Sequence, residues 1–131
     1  MTVINTNYMS GMENSIFDAE NSRSQMRKGL LEYCTLLAIA RGELYASDIL
    51  NELKADNLIV VEGTLYPLLS RLKSDKLLEY TWKESKAGPP RKYYRLTKEG
   101  QEALEQLNQT WHELSLSINS LIRKYSDEKN N

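Results

Sequence analysis

The sequence predicts a mainly α-helical protein with one small β-hairpin and a long C-terminal helix. Apolar residues recur at helical spacing in three segments before Asp75, and they recur again from Leu104 to Tyr125. Between these segments, apolar and polar residues alternate on both sides of a turn-rich stretch, which is the pattern of a hairpin. The 131 residues suffice for one domain with one appended element.

The composition excludes several classes of protein. With 40% hydrophobic and 27% charged residues, the chain resembles a folded domain rather than a disordered one. No apolar stretch approaches the roughly 18 residues of a membrane-spanning helix, and the first 28 residues lack the apolar core of a secretory signal. We therefore expect a cytoplasmic protein that makes no membrane contact.

The sequence offers little support for catalysis or metal binding. Cys34 and His112 are the only cysteine and the only histidine, so no intrachain disulfide and no multi-cysteine zinc site can form. No glycine-rich phosphate loop is present. Cys34 lies within an apolar helix and is expected to be a small core residue rather than a reactive thiol. We expect no enzyme activity, no catalytic residues, no metal and no cofactor.

The first helix follows a polar N-terminal arm, residues 1–20, which is expected to be mobile. The helix is predicted from about Asn21 or Arg27 to Arg41, because Gly42 then supplies a stop signal. Its apolar residues recur at helical spacing: Leu30, Leu31, Cys34, Leu37 and Ala38.

The second helix is shorter. It is predicted to start between Tyr45 and Ser47 and to end at Asp56 and Asn57. Its buried residues are expected to be Ile49, Leu50 and Leu53. The segment Leu58–Val61 that follows is either a short strand or a buried turn.

The third helix, from Glu62 to Asp75, has two distinct faces. Four leucines form an apolar stripe about 100° wide: Leu65, Leu68, Leu69 and Leu72. The opposite face has no acid between Gly63 and Ser74 and carries hydroxyl groups, one aromatic ring and two bases. Such side chains reach base edges and phosphates in a major groove, although a solvated surface can have the same composition. Pro67 falls early enough in the helix to be tolerated.

The hairpin directly follows the third helix. Leu78, Tyr80 and Trp82 alternate with polar residues and predict a half-buried strand. The turn-rich segment Glu84–Pro90 is expected to form the tip, and Arg91–Leu96 the return strand.

Positive charge is concentrated in the same region. Residues 62–97 have a net charge of +4, whereas the residues before and after them have −3 and −2. Three helices followed by a basic hairpin is the order of a winged helix-turn-helix domain, in which the third helix enters the major groove and the hairpin lies over the backbone or minor groove. Tyr94 and Leu96 are the expected core residues of the small sheet.

The last helix, from about Lys98 to Tyr125, is too long to be packed around so small a domain. Its apolar residues are spaced alternately three and four positions apart and form an a/d seam: Leu104, Leu107, Trp111, Leu114, Ile118, Leu121 and Tyr125. The seam predicts a homodimer or packing back along the first helix, and both can hold for different parts of it. The expected organisation is an arm (1–20), a winged helix-turn-helix domain (21–97), a dimerisation helix (98–125) and a disordered tail (126–131).

Several motifs resemble those of the PadR family of winged-helix transcriptional regulators. The most specific are Gly63-Thr64-Leu65-Tyr66-Pro67 and the run Arg91-Lys92-Tyr93-Tyr94-Arg95-Leu96-Thr97 followed by Gly100, with further matches at residues 29–32 and 42–45. The resemblance covers Lys28 to Tyr125, about three quarters of the chain.

The resemblance implies a dimeric repressor-like protein that binds double-stranded DNA at a palindromic operator and is released by a small effector. The residues that it assigns to DNA are Tyr45, Ser47, Thr64, Tyr66, Pro67, Ser70, Arg71, Lys73, Lys86, Gly88, Arg91 and Lys92. The chain departs from the family pattern at two places. Gly88-Pro89-Pro90 stands where the family often has Gly-Arg-Pro, and Tyr45-Ala46-Ser47 replaces Tyr-Gly-Tyr.

Trp111 is a candidate for the effector pocket. The resemblance implies that its ring, paired with that of a second copy, would sandwich a small planar aromatic effector. The alternative is that Trp111 is the largest side chain of a closed interface.

For the whole protein, the alternative function is a winged-helix protein-interaction module without sequence-specific DNA binding, which would lack the steep salt dependence of phosphate contacts.

Overall fold

The computed structural model describes residues 17–58 and 60–130. In chain order its elements are α1 (Ala19–Ala40), β1 (Leu44–Tyr45), α2 (Ala46–Ala55), α3 (Glu62–Ser74), β2 (Leu78–Ser85), β3 (Gly88–Leu96) and α4 (Lys98–Asn130). The predicted fold class, mainly helical with a small hairpin wing and a long last helix, is confirmed. Residues 1–16 of the predicted arm and Asn131 lie outside the described residues. No helix of the described part is both long and apolar enough to cross a membrane.

The chain divides into two compact units, and the boundary lies within α1, between Leu31 and Glu32. This differs from the predicted boundaries at residues 21 and 98. The long helix α4 belongs to the same unit as the winged domain, because Gly100 and Leu104 near its start are buried.

The sheet has three antiparallel strands in the order β1-β3-β2. Strand β1 was not predicted, because two residues are too short to show an alternation. It pairs Leu44 with Tyr94 and Tyr45 with Tyr93. Between β2 and β3, Leu78 pairs with Leu96.

The hairpin tip is shorter than the predicted Glu84–Pro90, because Ser85 still pairs with Gly88. The two intervening residues, Lys86 and Ala87, form the turn. The prolines at 89 and 90 are tolerated within β3 since they coincide with a register shift and lie beyond the short β1, where no neighbouring strand needs their missing N–H groups.

The apolar stripes predicted for α2 and α3 are confirmed, but the one predicted for α1 is wrong. Leu30, Leu31, Cys34 and Ala38 are only half-buried and Leu37 is exposed, because α1 buries the neighbouring face with Thr35, Leu36 and Ile39. The buried apolar side chains are Leu36, Ile39, Ile49, Leu50, Leu53, Val60, Leu65, Leu69, Leu72, Leu78, Tyr94 and Leu104. Leu68 and Leu96 are half-buried. The described residues of 58–61 form no strand, and burial of Val60 favours the buried turn.

Helix α3 begins at Glu62, as predicted, but Pro67 is its sixth residue and not part of the first turn. One hydrogen bond to the carbonyl of Gly63 is therefore missing. The helix ends where Lys76 adopts a left-handed conformation with φ of 66°. The N–H groups of Lys76 and Leu77 donate to the carbonyls of Lys73 and Leu72 at 2.9 and 3.0 Å, which is a Schellman ending.

One junction joins the end of α3, the sheet and the start of α4. The Thr97 hydroxyl donates to the carbonyl of Lys76 at 2.6 Å and accepts a bond from the N–H of Gly100 at 2.9 Å, which caps α4. The Thr97 N–H donates to the carbonyl of Leu77 at 3.1 Å. A Cβ atom at Gly100 would overlap that carbonyl, so only glycine fits where α4 crosses the start of β2.

Helix α4 continues to Asn130, five residues beyond the predicted end at Tyr125. The predicted disordered tail, residues 126–131, is therefore helical as far as it is described. The segment contains no Gly or Pro that would stop a helix. A side-chain contact spans the predicted end of the helix, because Lys129 Nζ lies 3.5 Å from the hydroxyl of Tyr125, one helical turn earlier.

Replacement of Gly100 by alanine is expected to destabilise the fold by about 1–3 kcal/mol, the usual cost of overpacking. The matched control is Gly63→Ala, because a Cβ atom there meets open space and alanine is the better helix former by about 0.5–1 kcal/mol. Urea unfolding at one fixed protein concentration measures both changes. Equal stability of the two variants would contradict the close approach at Leu77.

Candidate nucleic-acid interface

The exposed face of α3 carries the predicted groups. Thr64, Tyr66, Pro67 and Ser70 are exposed, while Leu65, Leu69 and Leu72 on the other side of the helix are buried. Helical periodicity alone produces this division, because residues three and four apart share a face. The result is a neutral, hydrogen-bonding surface.

Arg71 differs from the other residues of this face because two carboxylates hold it. Its guanidinium lies 3.5 Å from the carboxylate of Glu32 on α1 and 3.8 Å from that of Asp75. The three side chains are 39–54% exposed, so the two pairs contribute little to stability. They do offset the charge of Arg71 and direct it toward α1.

A groove of about 420 Å³ lies between α3, the start of α2 and the wing. Six of the residues predicted from the sequence line it: Tyr45, Ser47, Tyr66, Ser70, Arg91 and Lys92. Trp82, Pro90 and Tyr94 line it as well. The structure thus brings residues from three separate segments to one concave surface that is rich in aromatic rings, hydroxyl groups and cations.

The other predicted residues lie outside this groove. Thr64 and Pro67 lie on the first two turns of α3, and Lys73 on its last turn. Lys86 is exposed at the hairpin turn and pairs with no carboxylate among the described residues. Gly88 pairs with Ser85, and a Cβ atom there would make only an ordinary contact of 3.6 Å with the serine hydroxyl.

Most cations of the wing lie over aromatic rings. The Arg91 guanidinium carbon is 4.6 Å from the centroid of the Tyr45 ring, and that ring packs edge-on against Tyr93 at 5.3 Å. Lys92 Nζ is 4.6 Å from the centroid of Tyr80 and 5.5 Å from that of Trp82. The attraction of a cation to the ring face restricts these otherwise flexible side chains.

Lys83 is held differently. Its ammonium group lies 2.6 Å from the carboxylate of Glu43 and 5.0 Å from the Tyr93 centroid. The hydrogen bond from Lys83 lowers the pKa of Glu43 below its ordinary value. This positive charge is thereby offset within the chain, as is that of Arg95, which pairs with Glu79 at 2.9 Å.

Sequence reasoning missed the contribution of Trp82 to the groove and the position of Tyr80 beneath Lys92. Both were expected on the buried face of their strand, but Trp82 is 60% exposed whereas Leu78 at the other end of that face is 2% exposed. Alternation predicts which face a residue occupies, not how far along the strand the core extends. Tyr94 is buried as predicted, and burial is the main cause that raises the pKa of its phenol, so the group stays neutral.

The α4 seam is divided by burial. Leu104, predicted to face a partner, is instead buried within its own chain and only 3% exposed, because the start of α4 packs on the winged domain. The Tyr33 hydroxyl donates to Asn108 at 2.5 Å and ties α1 to the same part of α4. Leu107 is half-buried. The remaining seam residues are 42–64% exposed: Trp111, Leu114, Ile118, Leu121 and Tyr125.

Comparison with known proteins agrees with this architecture. The model of the transcriptional regulator PadR-like family matches residues 35–106. An uncharacterized protein of Lysinibacillus sphaericus is 30% identical over 95 residues, which cover 70% of this chain and 87% of the relative.

Solved structures give the same result. A PadR-like transcription factor from Bacteroides fragilis is 56% identical with a TM-score of 0.66, and the match covers 77% of this chain and 98% of that chain. A PadR-like transcriptional regulator from Bacillus cereus is 42% identical with a TM-score of 0.68, and the match covers 75% and 96%. Bacillus subtilis PadR in complex with operator DNA shares the fold at 23% identity and a TM-score of 0.55, covering 60% of this chain and 46% of that chain. The chain therefore belongs to the PadR-like family of transcriptional regulators.

Proposed function

We propose that the protein is a repressor that binds a palindromic operator as a homodimer and releases it when a small effector binds. One observation carries the DNA-binding part: the acid-free face of α3 borders a groove whose opposite wall carries Arg91 and Lys92. Helix and wing thus present hydrogen-bonding groups and positive charge to the same side. The operator complex of the Bacillus subtilis relative supports duplex DNA as the ligand.

The proposed contacts follow from side-chain chemistry. The hydroxyl and aromatic residues Thr64, Tyr66 and Ser70, together with Pro67, would face the bases. Phosphate contacts would come from Tyr45, Ser47, Lys73, Lys86, Gly88, Arg91 and Lys92. Arg71 would have to leave Glu32 and Asp75 to reach a base, and a bidentate contact to guanine is strong enough to compensate such weak surface pairs.

We expect tight binding to a labelled fragment of the protein's own upstream region and weaker binding to random DNA. Arg71→Ala should cost about 1–3 kcal/mol and relax preference at one position per half-site, whereas Lys86→Ala should weaken all sequences alike and reduce the salt slope by about 1. Fluorescence anisotropy at several salt concentrations measures both effects. Arg41→Ala is the control, since its guanidinium pairs with Glu52 at 3.2 Å outside the groove.

A protein-interaction module is the alternative function. Such a module would not bind DNA with a steep salt dependence, and it would not prefer the upstream fragment to random DNA. Equal losses on both DNAs for Arg71→Ala and Lys86→Ala would leave base readout by Arg71 without support.

The proposed homodimer rests on the exposed seam of α4. Leu114→Asp together with Leu121→Asp should dissociate the dimer, because each carboxylate would be buried in an apolar interface without a partner. Leu116→Asp is the control: Leu116 is also exposed, but it lies roughly 160° around the helix from Leu114 at 3.6 residues per turn. Sedimentation should show dimers for the wild type and the control. A wild-type monomer at micromolar concentration would contradict the proposal.

Trp111 supports the effector part of the proposal. In the proposed dimer, two Trp111 rings would flank the two-fold axis, and a planar aromatic ligand between them would change the angle of the long helices. Operators require recognition helices about 34–36 Å apart, so a ligand that prefers another spacing would release DNA.

Planar aromatic dyes should therefore quench the fluorescence of Trp111. The quenching should vanish in Trp111→Ala and persist in Trp82→Phe, which removes the other indole. Unchanged quenching in Trp111→Ala, or no quenching by a broad panel of dyes, would favour a closed interface at this position.

A further inference from the structure

Two lysines from different elements lie over one tyrosine ring. Lys73 Nζ, from the last turn of α3, is 5.3 Å from the centroid of Tyr80, and Lys92 Nζ, from β3, is 4.6 Å from it. The ring itself is fixed, because it packs edge-on against the buried Tyr94 at 5.7 Å and against Trp82 at 6.1 Å.

These two ammonium groups differ from most other cations of the region. Lys83, Arg95 and Arg71 each lie within 4 Å of a carboxylate. Neither Lys73 nor Lys92 forms an ion pair within the described part of the chain. Both lie about 5 Å from the same centroid, so two like charges are held within about 10 Å of each other without an acid to offset them.

Two ammonium groups without an acid to offset them favour an anion that both can reach. The positions of the two lysines indicate which anion they would bind. Lys73 belongs to the helix with the acid-free face, and Lys92 lines the groove beside it. A phosphodiester of a DNA strand that passes between α3 and the wing would be within reach of both ammonium groups. Free lysine side chains lose considerable rotamer entropy when they bind phosphate, and prior docking on a ring reduces that loss.

We propose that Tyr80 is a positioning residue that holds Lys73 and Lys92 as a clamp for one DNA backbone phosphate between α3 and the wing. The proposal rests on the proposed DNA-binding function and deepens it. Trp82 supports the clamp from the wing side through its contact with Lys92. Because one phosphate joins both lysines, docking of the helix and docking of the wing depend on each other.

The clamp is tested by binding of the full-length protein to the upstream duplex over a series of salt concentrations. Lys73→Gln and Lys92→Gln should each reduce the slope of log affinity against log salt by about 1, whereas Lys98→Gln, a lysine exposed at the start of α4, should not. The double variant Lys73→Gln with Lys92→Gln should lose at least threefold less affinity than the product of the single losses, since neighbours that share one ligand are not additive.

Tyr80 is tested by two substitutions. Tyr80→Phe keeps the ring and should bind within twofold of the wild type, while Tyr80→Leu should bind roughly three- to tenfold more weakly with a smaller salt slope. Thermal melts show whether either variant is destabilised. If Tyr80→Leu does not fold, the double-variant comparison of Lys73 and Lys92, made with Tyr80 in place, still tests whether the two lysines share one phosphate.

The outcomes separate this inference from the proposed function. A wild type that does not bind duplex DNA would overturn both. A wild type that binds with a steep salt slope, together with full slopes for both lysine variants or additive losses in the double variant, would overturn the clamp alone. Equal binding by Tyr80→Phe and folded Tyr80→Leu would overturn the role of the ring.

Discussion

The close approach of Gly100 to the carbonyl of Leu77 is the constraint on which the rest of the structure depends. At this point the Schellman turn after α3 leads into β2, and Thr97 both closes β3 and caps α4. Four elements therefore meet within a few residues, and none of them can move without disturbing a backbone contact. The exposed face of α3, the wing and the long helix are consequently held in one unit.

This arrangement explains how one small domain can serve two surfaces. The first turns of α4 pack within the chain, where Gly100 and Leu104 are buried, and the apolar seam beyond Leu107 is left exposed. The helix has 33 residues and is about 50 Å long at 1.5 Å per residue. In the proposed dimer, a change in its direction would act on β2 through the carbonyl of Leu77, and so on the wing and on α3.

The elements predicted well are those whose signal is local. The leucine stripe of α3 and the apolar residues of α2 follow from helical periodicity, and the sheet face of Tyr94 follows from alternation. What depends on tertiary contact was not predicted: the two-residue strand β1, the pairing of Arg71 with Glu32, and the shared ring of Tyr80. Trp82 was assigned to the correct face but to the wrong environment, because burial along the hairpin depends on how far the helices extend over the sheet. The sequence predicts that the prolines of the wing lie in a loop, but they belong to β3. They are tolerated there because β1 does not extend alongside them, and the sequence does not show where β1 ends.

In the proposed function, α3 and the wing form one DNA-binding surface, and the α4 seam makes the protein dimeric. Hydrogen exchange of the full chain, with and without a duplex of its upstream region, tests both parts at once. We expect DNA to slow exchange in residues 62–74 and in the paired strands of the wing. Residues 111–130 should exchange slowly even without DNA, because a partner helix would protect them. Unchanged exchange in α3 and the wing, with rapid exchange throughout residues 111–130 at every protein concentration, would contradict the proposed function.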